Sequence, residues 1–259
     1  MSNLYMNIHI LNLNMGWDGI VMIIIVRKSN ILLIGLIFLL LITIYSLNFS
    51  TGEATPVTNT QNIQKTVIID AGHGGEDPGV VSSYSGIKEK DLNLEIATMT
   101  KKLLEKEGFK VIMTRTEDKL EYQPGTTSIT QKRKQDLQRR KKIMDESGAD
   151  IVVSIHMNGF KETQYYGAQT FYPPNSLESQ RLATTIQKAL KEIADPENER
   201  QPQLKKEPII ILRDIKTPTV IVECGFLSNT AEEKKLQTKE YKEKLAMAIK
   251  EGIKNYFAE

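Results

Sequence analysis

Two histidines and two glutamates stand out in the 259-residue chain because each lies where an apolar or amphipathic run begins or ends. His73 follows TVIID (66–70), His156 closes IVVSIH (151–156), Glu223 closes TVIVE (219–223), and Glu89 opens a long amphipathic segment. Two imidazoles and a carboxylate form a common zinc set with a fourth position left for water, and the ion brings the pKa of that water to about 7. A second carboxylate beside it can take the water proton and later return it to a leaving amine. Such a group points to metal-assisted hydrolysis of an amide. The spacings are long, so no local motif fixes it. A histidine after a strand is often a hydrogen-bonded structural residue, and Glu89 could serve only the electrostatics of a helix N-terminus. Glu223 lies among apolar residues, where an unpaired carboxylate is costly, and a place beside a metal-bound water accounts for it.

Other chemistries fare less well. GHGGEDPG (72–79) lacks the Lys and Ser/Thr of a phosphate loop. Cys224 could act as a nucleophile served by His73 or His156. Strand alternation, however, points it away from the face of Glu223, which suits a small buried core residue. One cysteine excludes an intrachain disulfide framework and a multi-thiolate zinc site. A net charge of +2 gives no support for nucleic-acid binding.

The elements that would position these residues alternate. Strands are predicted at 66–70, 110–114, 151–155, 168–172 and 219–223, and helices at 89–106, 131–146, 177–193 and 239–257. Continuous apolar strands between helices imply an α/β domain, a three-layer fold with a central, mostly parallel twisted sheet flanked by helices. In such sheets, sites form beyond the carboxyl ends of the strands.

Upstream, ILLIGLIFLLLITIYSL (31–47) is seventeen residues without a charge, preceded by Arg27 and Lys28. It reads as an N-terminal membrane anchor or signal segment, with 1–30 a cytoplasmic leader and the remainder exported. No small-x-small cleavage site follows, which favours an uncleaved anchor. Met22 is an alternative start. Residues 48–64 are polar and read as a linker, and 65–259 as the catalytic domain.

TVIIDAGHGGEDPG, GIKEKDLNLEIA, ADIVVSIHMNGF and PTVIVECGFLSN resemble, in order, the four signature blocks of the family 3 N-acetylmuramoyl-L-alanine amidases, across residues 65–259. The small anchored architecture and the segments TRTED, RKQDLQRRKKI and GAQTFYPP are similar to the sporulation branch of that family. The resemblance implies one zinc ion on His73, Glu89 and His156, and Glu223 as the catalytic carboxylate. It implies hydrolysis of the amide between N-acetylmuramic acid and L-alanine of peptidoglycan, in spore-cortex maturation (muramic-δ-lactam formation) and hence germination. The protein would act outside the cytoplasm, in the forespore or cortex space. Departures are Ala71, where Pro is common, and Met157, where a small residue is usual.

Three further residues are candidates around the site. Asp70 is expected to orient a ligand histidine from behind it or to support the adjoining helix or loop, while Asn158 and Arg213 are expected to line a substrate groove, since acidic stem peptides suit a guanidinium. The basic cluster KRKQDLQRRKK (132–142) reads as a solvated helix face. The other reading of the chain is a catalytically weak, membrane-anchored peptidoglycan-binding or scaffold protein that keeps the amidase fold. An enzyme that needs an activating protein partner is a further possibility that the sequence leaves open.

Overall fold

The apolar runs become the middle of one sheet in the computed structural model, which describes residues 28–50, 64–206, 209–214 and 216–259. Six strands, β1 (Thr66–Ala71), β2 (Lys110–Met113), β3 (Ile151–Asn158), β4 (Gln169–Tyr172), β5 (Gln203–Leu204) and β6 (Thr219–Phe226), lie in the order β2-β1-β3-β6-β4-β5. The pairs β1/β2, β1/β3 and β3/β6 are parallel, and β4 runs antiparallel to β6 with β5 parallel to it at the edge. The sheet is therefore mostly parallel, with a reversed outer pair.

Strand alternation divides the core. Val67, Ile69, Val153, Ile155, Val220, Val222 and Cys224 face helices α2 (Glu89–Lys106), α4 (Leu177–Ala189) and α6 (Lys239–Ala258), which supply Leu92, Ile96, Leu182, Ile186, Leu245 and Ile249. Ile68, Val152 and Ile221 face the other way, onto Met144 of helix α3 (Ile129–Glu146) and the turn Ile210–Leu212. Continuing along that second face toward the strand ends, the same period of two brings Asp70, Ser154, His156 and Glu223 to one side. The expected three layers are present.

Differences from the sequence reading are local. The helix expected at 177–193 is α-helical only to Ala189 and closes through a π turn, Leu190–Ala194. Helix α5 (Thr230–Gln237) was not expected, because eight residues give little periodic signal. Asn229 starts it by accepting from the N–H groups of Ala231 and Glu232.

The chain divides into two compact units, Met1–Asn62 and Ile63–Glu259. The first contains helix α1 (Lys28–Ser50), whose side chains from Leu33 to Tyr45 are exposed. Among the described residues no helix is long and apolar enough to cross a membrane. The expected leader and linker lie outside the described residues except at 28–30, 48–50 and 64, and 48–50 are the end of α1 rather than linker.

Candidate metal centre

Beyond β1 the chain turns sharply, and His73 adopts φ 61°, a left-handed conformation unusual for a non-glycine residue. Such a conformation persists only where its surroundings enforce it. Two buried guanidinium groups do so. Arg115 donates to the carbonyls of Ala71 (2.8 Å) and Gly72 (3.0 Å), and Arg140 to those of Ala71 (2.6 Å) and His73 (2.7 Å). Every carbonyl from Ala71 to His73 is thus held by an arginine. The glycines explain themselves by proximity. A Cβ at Gly72 would lie 2.3–2.7 Å from atoms of the His156 ring, and one at Gly79 would lie 2.4 Å from Glu89 Oε2. GHGGEDPG is glycine-rich so that backbone can press against the site.

Glu89, at the first turn of α2, is the hub. Its Oε1 lies 3.2 Å from His73 Nε2 and 2.9 Å from His156 Nδ1. The carboxylate is fixed by the N–H groups of Val80 (to Oε2, 2.8 Å) and Met157 (to Oε1, 3.1 Å) and by Asn93 Nδ2 (to Oε1, 3.2 Å). Behind His73, Nδ1 meets Asp77 Oδ2 at 2.7 Å, the carboxylate–histidine arrangement that orients metal-ligating imidazoles. Tetrahedral zinc with bonds of about 2.0–2.2 Å places its ligand atoms about 3.3–3.6 Å apart. The two separations from Glu89 are slightly shorter than that, and one donor atom from each residue lies within 4.8 Å of the others. The three residues fit a zinc ion. Burial opposes charge on both His73 and Glu89, yet their mutual contacts prevail. Asp77 and Glu89 raise His73 to about 10, and the two histidines hold Glu89 well below the usual carboxylate range. A site that so strongly favours positive charge between its carboxylates also favours a cation in place of those protons.

Glu223 is the register partner of His156 across β3 and β6. Its Oε2 is buried without a hydrogen-bond partner. Burial first, and then the Glu89 charge, raise its pKa, with His156 opposing. His73, His156 and Glu223 together line a cavity of about 380 Å³, and Glu89 sits behind it. Four residues spread over 151 positions of sequence therefore converge, with a proton-affine carboxylate beside a cation site. Cys224 is buried on the opposite face of the sheet, and burial pushes its thiol up, away from the thiolate a nucleophile requires.

The remaining candidates fare differently. Asp70, read as orienting a ligand histidine or supporting the loop, accepts from Arg140, Thr114 and Ser154. It acts on His73 at one remove, through Arg140, and Asp77 is the carboxylate that touches the imidazole. Asn158 ends β3 with its side chain turned back onto the Gly159 N–H. Arg213 is exposed, and neither Asn158 nor Arg213 lines the cavity. The basic cluster is not simply a solvated face. Arg140 is 1% exposed, Arg133 pairs with Asp77 at 2.6 Å, and Lys132 pairs with Glu76 at 2.7 Å. Asp77, Arg115, Arg133 and Arg140 were missed by sequence reasoning. The signal for the helix pair was their spacing of seven residues, two turns apart on one face, with Leu137 between them.

Most of the chain matches known proteins. The family described as N-acetylmuramoyl-L-alanine amidase matches residues 67–255. The germination-specific N-acetylmuramoyl-L-alanine amidase of Bacillus subtilis is 32% identical over 222 residues, 86% of this chain and 92% of that protein. Among solved structures, the CwlD amidase of Clostridioides difficile, in complex with the GerS lipoprotein, is 42% identical. It has a TM-score of 0.73 and covers 75% of this chain and 99% of that one. An N-acetylmuramoyl-L-alanine amidase of Clostridium difficile 630 is 32% identical with a TM-score of 0.65, covering 75% and 97%.

Proposed function

The chain belongs to the N-acetylmuramoyl-L-alanine amidase family, and on that premise we propose that it is a zinc enzyme of spore-cortex maturation. His73, Glu89 and His156 would hold the ion, and Glu223 would move the proton. Zinc bound there supplies a Lewis acid for the scissile carbonyl and acidifies water. The side chains of the protein do the rest. Glu223, with its raised proton affinity and its orphaned Oε2, accepts the proton of the attacking water. It then delivers that proton to the amine of L-alanine as the C–N bond to the lactyl carbonyl breaks, and returns to carboxylate. Asp77 and Glu89 keep the His73 ring aimed, and the arginine cradle keeps its backbone in place.

The observation that carries this reading is the buried, partnerless Glu223 Oε2 in the same cavity as two ligand histidines. The spore-cortex role, upstream of muramic-δ-lactam formation and germination, is supported by the germination-specific relative. The lipoprotein complex of the Clostridioides difficile relative supports a protein partner for this chain as well. Action outside the cytoplasm completes the proposal, because the substrate polymer lies there. Release of L-alanine amino termini from purified sacculi tests the chemistry. Glu223→Gln should fold and keep zinc yet lose about 10²–10⁴-fold in turnover, and normal activity in that variant would sink the assignment. Muropeptide analysis of spores lacking the gene tests the role: normal muramic-δ-lactam would exclude it.

A further inference from the structure

Helix α3 turns Arg133, Asp136, Leu137 and Arg140 toward the cavity, on one face at helical spacing. The two arginines differ in what they have left to give. Arg140 spends its donors on Asp136, Asp70 and two carbonyls, and is closed off from solvent. Arg133 keeps 44% of its side chain exposed at the cavity and is anchored at Nη2 by Asp77 Oδ1, 2.6 Å away. Beside it the wall is apolar, formed by Leu137, Ile209, Ile211 and Ile221.

Building on the amidase reading, we infer that Arg133 is the residue that selects the substrate, by receiving a free carboxylate on the stem-peptide residue that follows L-alanine. A guanidinium presents five donors in a planar fork that matches a carboxylate in two-point fashion. The Asp77 contact holds the fork in place before substrate arrives, which lowers the ordering cost of capture. The apolar wall beside it offers no second cation, and Arg140, the other arginine of the cavity, has its donors engaged already. The guanidinium role expected of Arg213 therefore passes to Arg133, the arginine lining the cavity with its side chain still open to solvent.

The test uses the zinc-loaded full chain and two N-acetylmuramoyl peptides that differ only in a free or amidated carboxylate on the residue after L-alanine. Wild type should prefer the acid by about tenfold in kcat/KM, expressed in KM, the size of a charge-assisted bond discounted for a half-exposed site. Arg133→Gln should bring the ratio to about one, and Arg133→Lys should keep part of it. The ratio carries the test, so a general loss of rate in a variant does not imitate the result. An undiminished preference in Arg133→Gln, or no preference in wild type with both peptides cleaved, overturns the inference and leaves the amidase reading standing. Failure of wild type to cleave either peptide overturns both.

Discussion

Replacing Arg140 by methionine should unfasten the loop that presents His73. The guanidinium is buried, donating from Nε to Asp136 (2.6 Å), from Nη1 to Asp70 (2.9 Å) and the Ala71 carbonyl (2.6 Å), and from Nη2 to the His73 carbonyl (2.7 Å). Methionine fills much of the volume but leaves buried Asp70 without its ion-pair partner, while Asp136 keeps Arg139 at 3.0 Å. Breaking a buried pair from one side costs about 3–5 kcal/mol, and no discount for solvent applies because both side chains of the Arg140–Asp70 pair are 2% exposed. Against a typical total of about 5–15 kcal/mol, the variant should still fold at low temperature. At about 2–4 °C per kcal/mol for a domain of this size, its melting temperature should fall by about 6–20 °C. The second consequence is specific to the site. Without its carbonyl anchor, His73 can relax from φ 61°, and zinc affinity should fall about 10–100-fold, as when other supporting residues of metal sites are lost. Calorimetry in chelator reads the first effect, and competition with a chromophoric chelator on the folded variant reads the second. A destabilisation below about 1 kcal/mol, or wild-type zinc affinity in the folded variant, would refute the argument that Arg140 holds the ligand loop.

Much of the fold is legible because its central strands are buried on both faces. TVIIDA, IVVSIHMN and TVIVECGF are nearly continuous apolar runs, and a parallel sheet covered by helices has no other way to be written. The outer strands carry no such signature. β5 is two exposed residues, Gln203–Leu204, and owes its place to pairing with β4 rather than to its own composition. α5 is short for a helix, at eight residues, and its Asn229 cap marks it.

The site divides along a similar line. His73, His156 and Glu223 are legible because they stand at strand ends, where the geometry of an α/β sheet puts ligands. Glu89 is marked by its place at the start of a helix, where a glutamate also serves the helix N-terminus alone, and the resemblance adds what position does not. The arginines are hidden by their company. Residues 132–142 hold seven basic residues, which as a composition says solvent. Only the position of Arg140, on the face shared with Asp136 and Met144, says interior. Burial of such a residue depends on carbonyls that accept from it in a different part of the chain, and no local pattern records them. Asp70 left two readings open for the same reason: proximity in sequence to His73 suits an orienting role, while the strand's alternation turns its carboxylate toward α3, where it supports the loop through Arg140.

Gly72→Ala should remove the metal while sparing the fold. The new methyl would overlap the His156 ring at 2.3–2.7 Å and force it aside, so zinc affinity should drop by more than about 100-fold, exceeding the loss of a supporting residue. An alanine variant that keeps zinc at wild-type affinity would contradict the packing. Acid should expose the other side of the arginine cradle. Burial by itself would raise Asp70, but Arg140, Ser154 and Thr114 outweigh it and bring its pKa down from 3.8 to about 2. The folded protein therefore holds this carboxylate ionised more tightly than the unfolded chain does. Its contribution is complete above about pH 4, shrinks as pH falls toward about 2, and amounts to about 2 kcal/mol. Asp70→Asn cannot titrate, so urea midpoints of the two proteins from pH 6 to pH 2 isolate this residue, other acids cancelling in the difference. The advantage of wild type over the variant should diminish by about 2 kcal/mol across that range. A difference independent of pH would mean that Asp70 and Arg140 are coupled by shape alone, and the charge argument for the cradle would have to be abandoned.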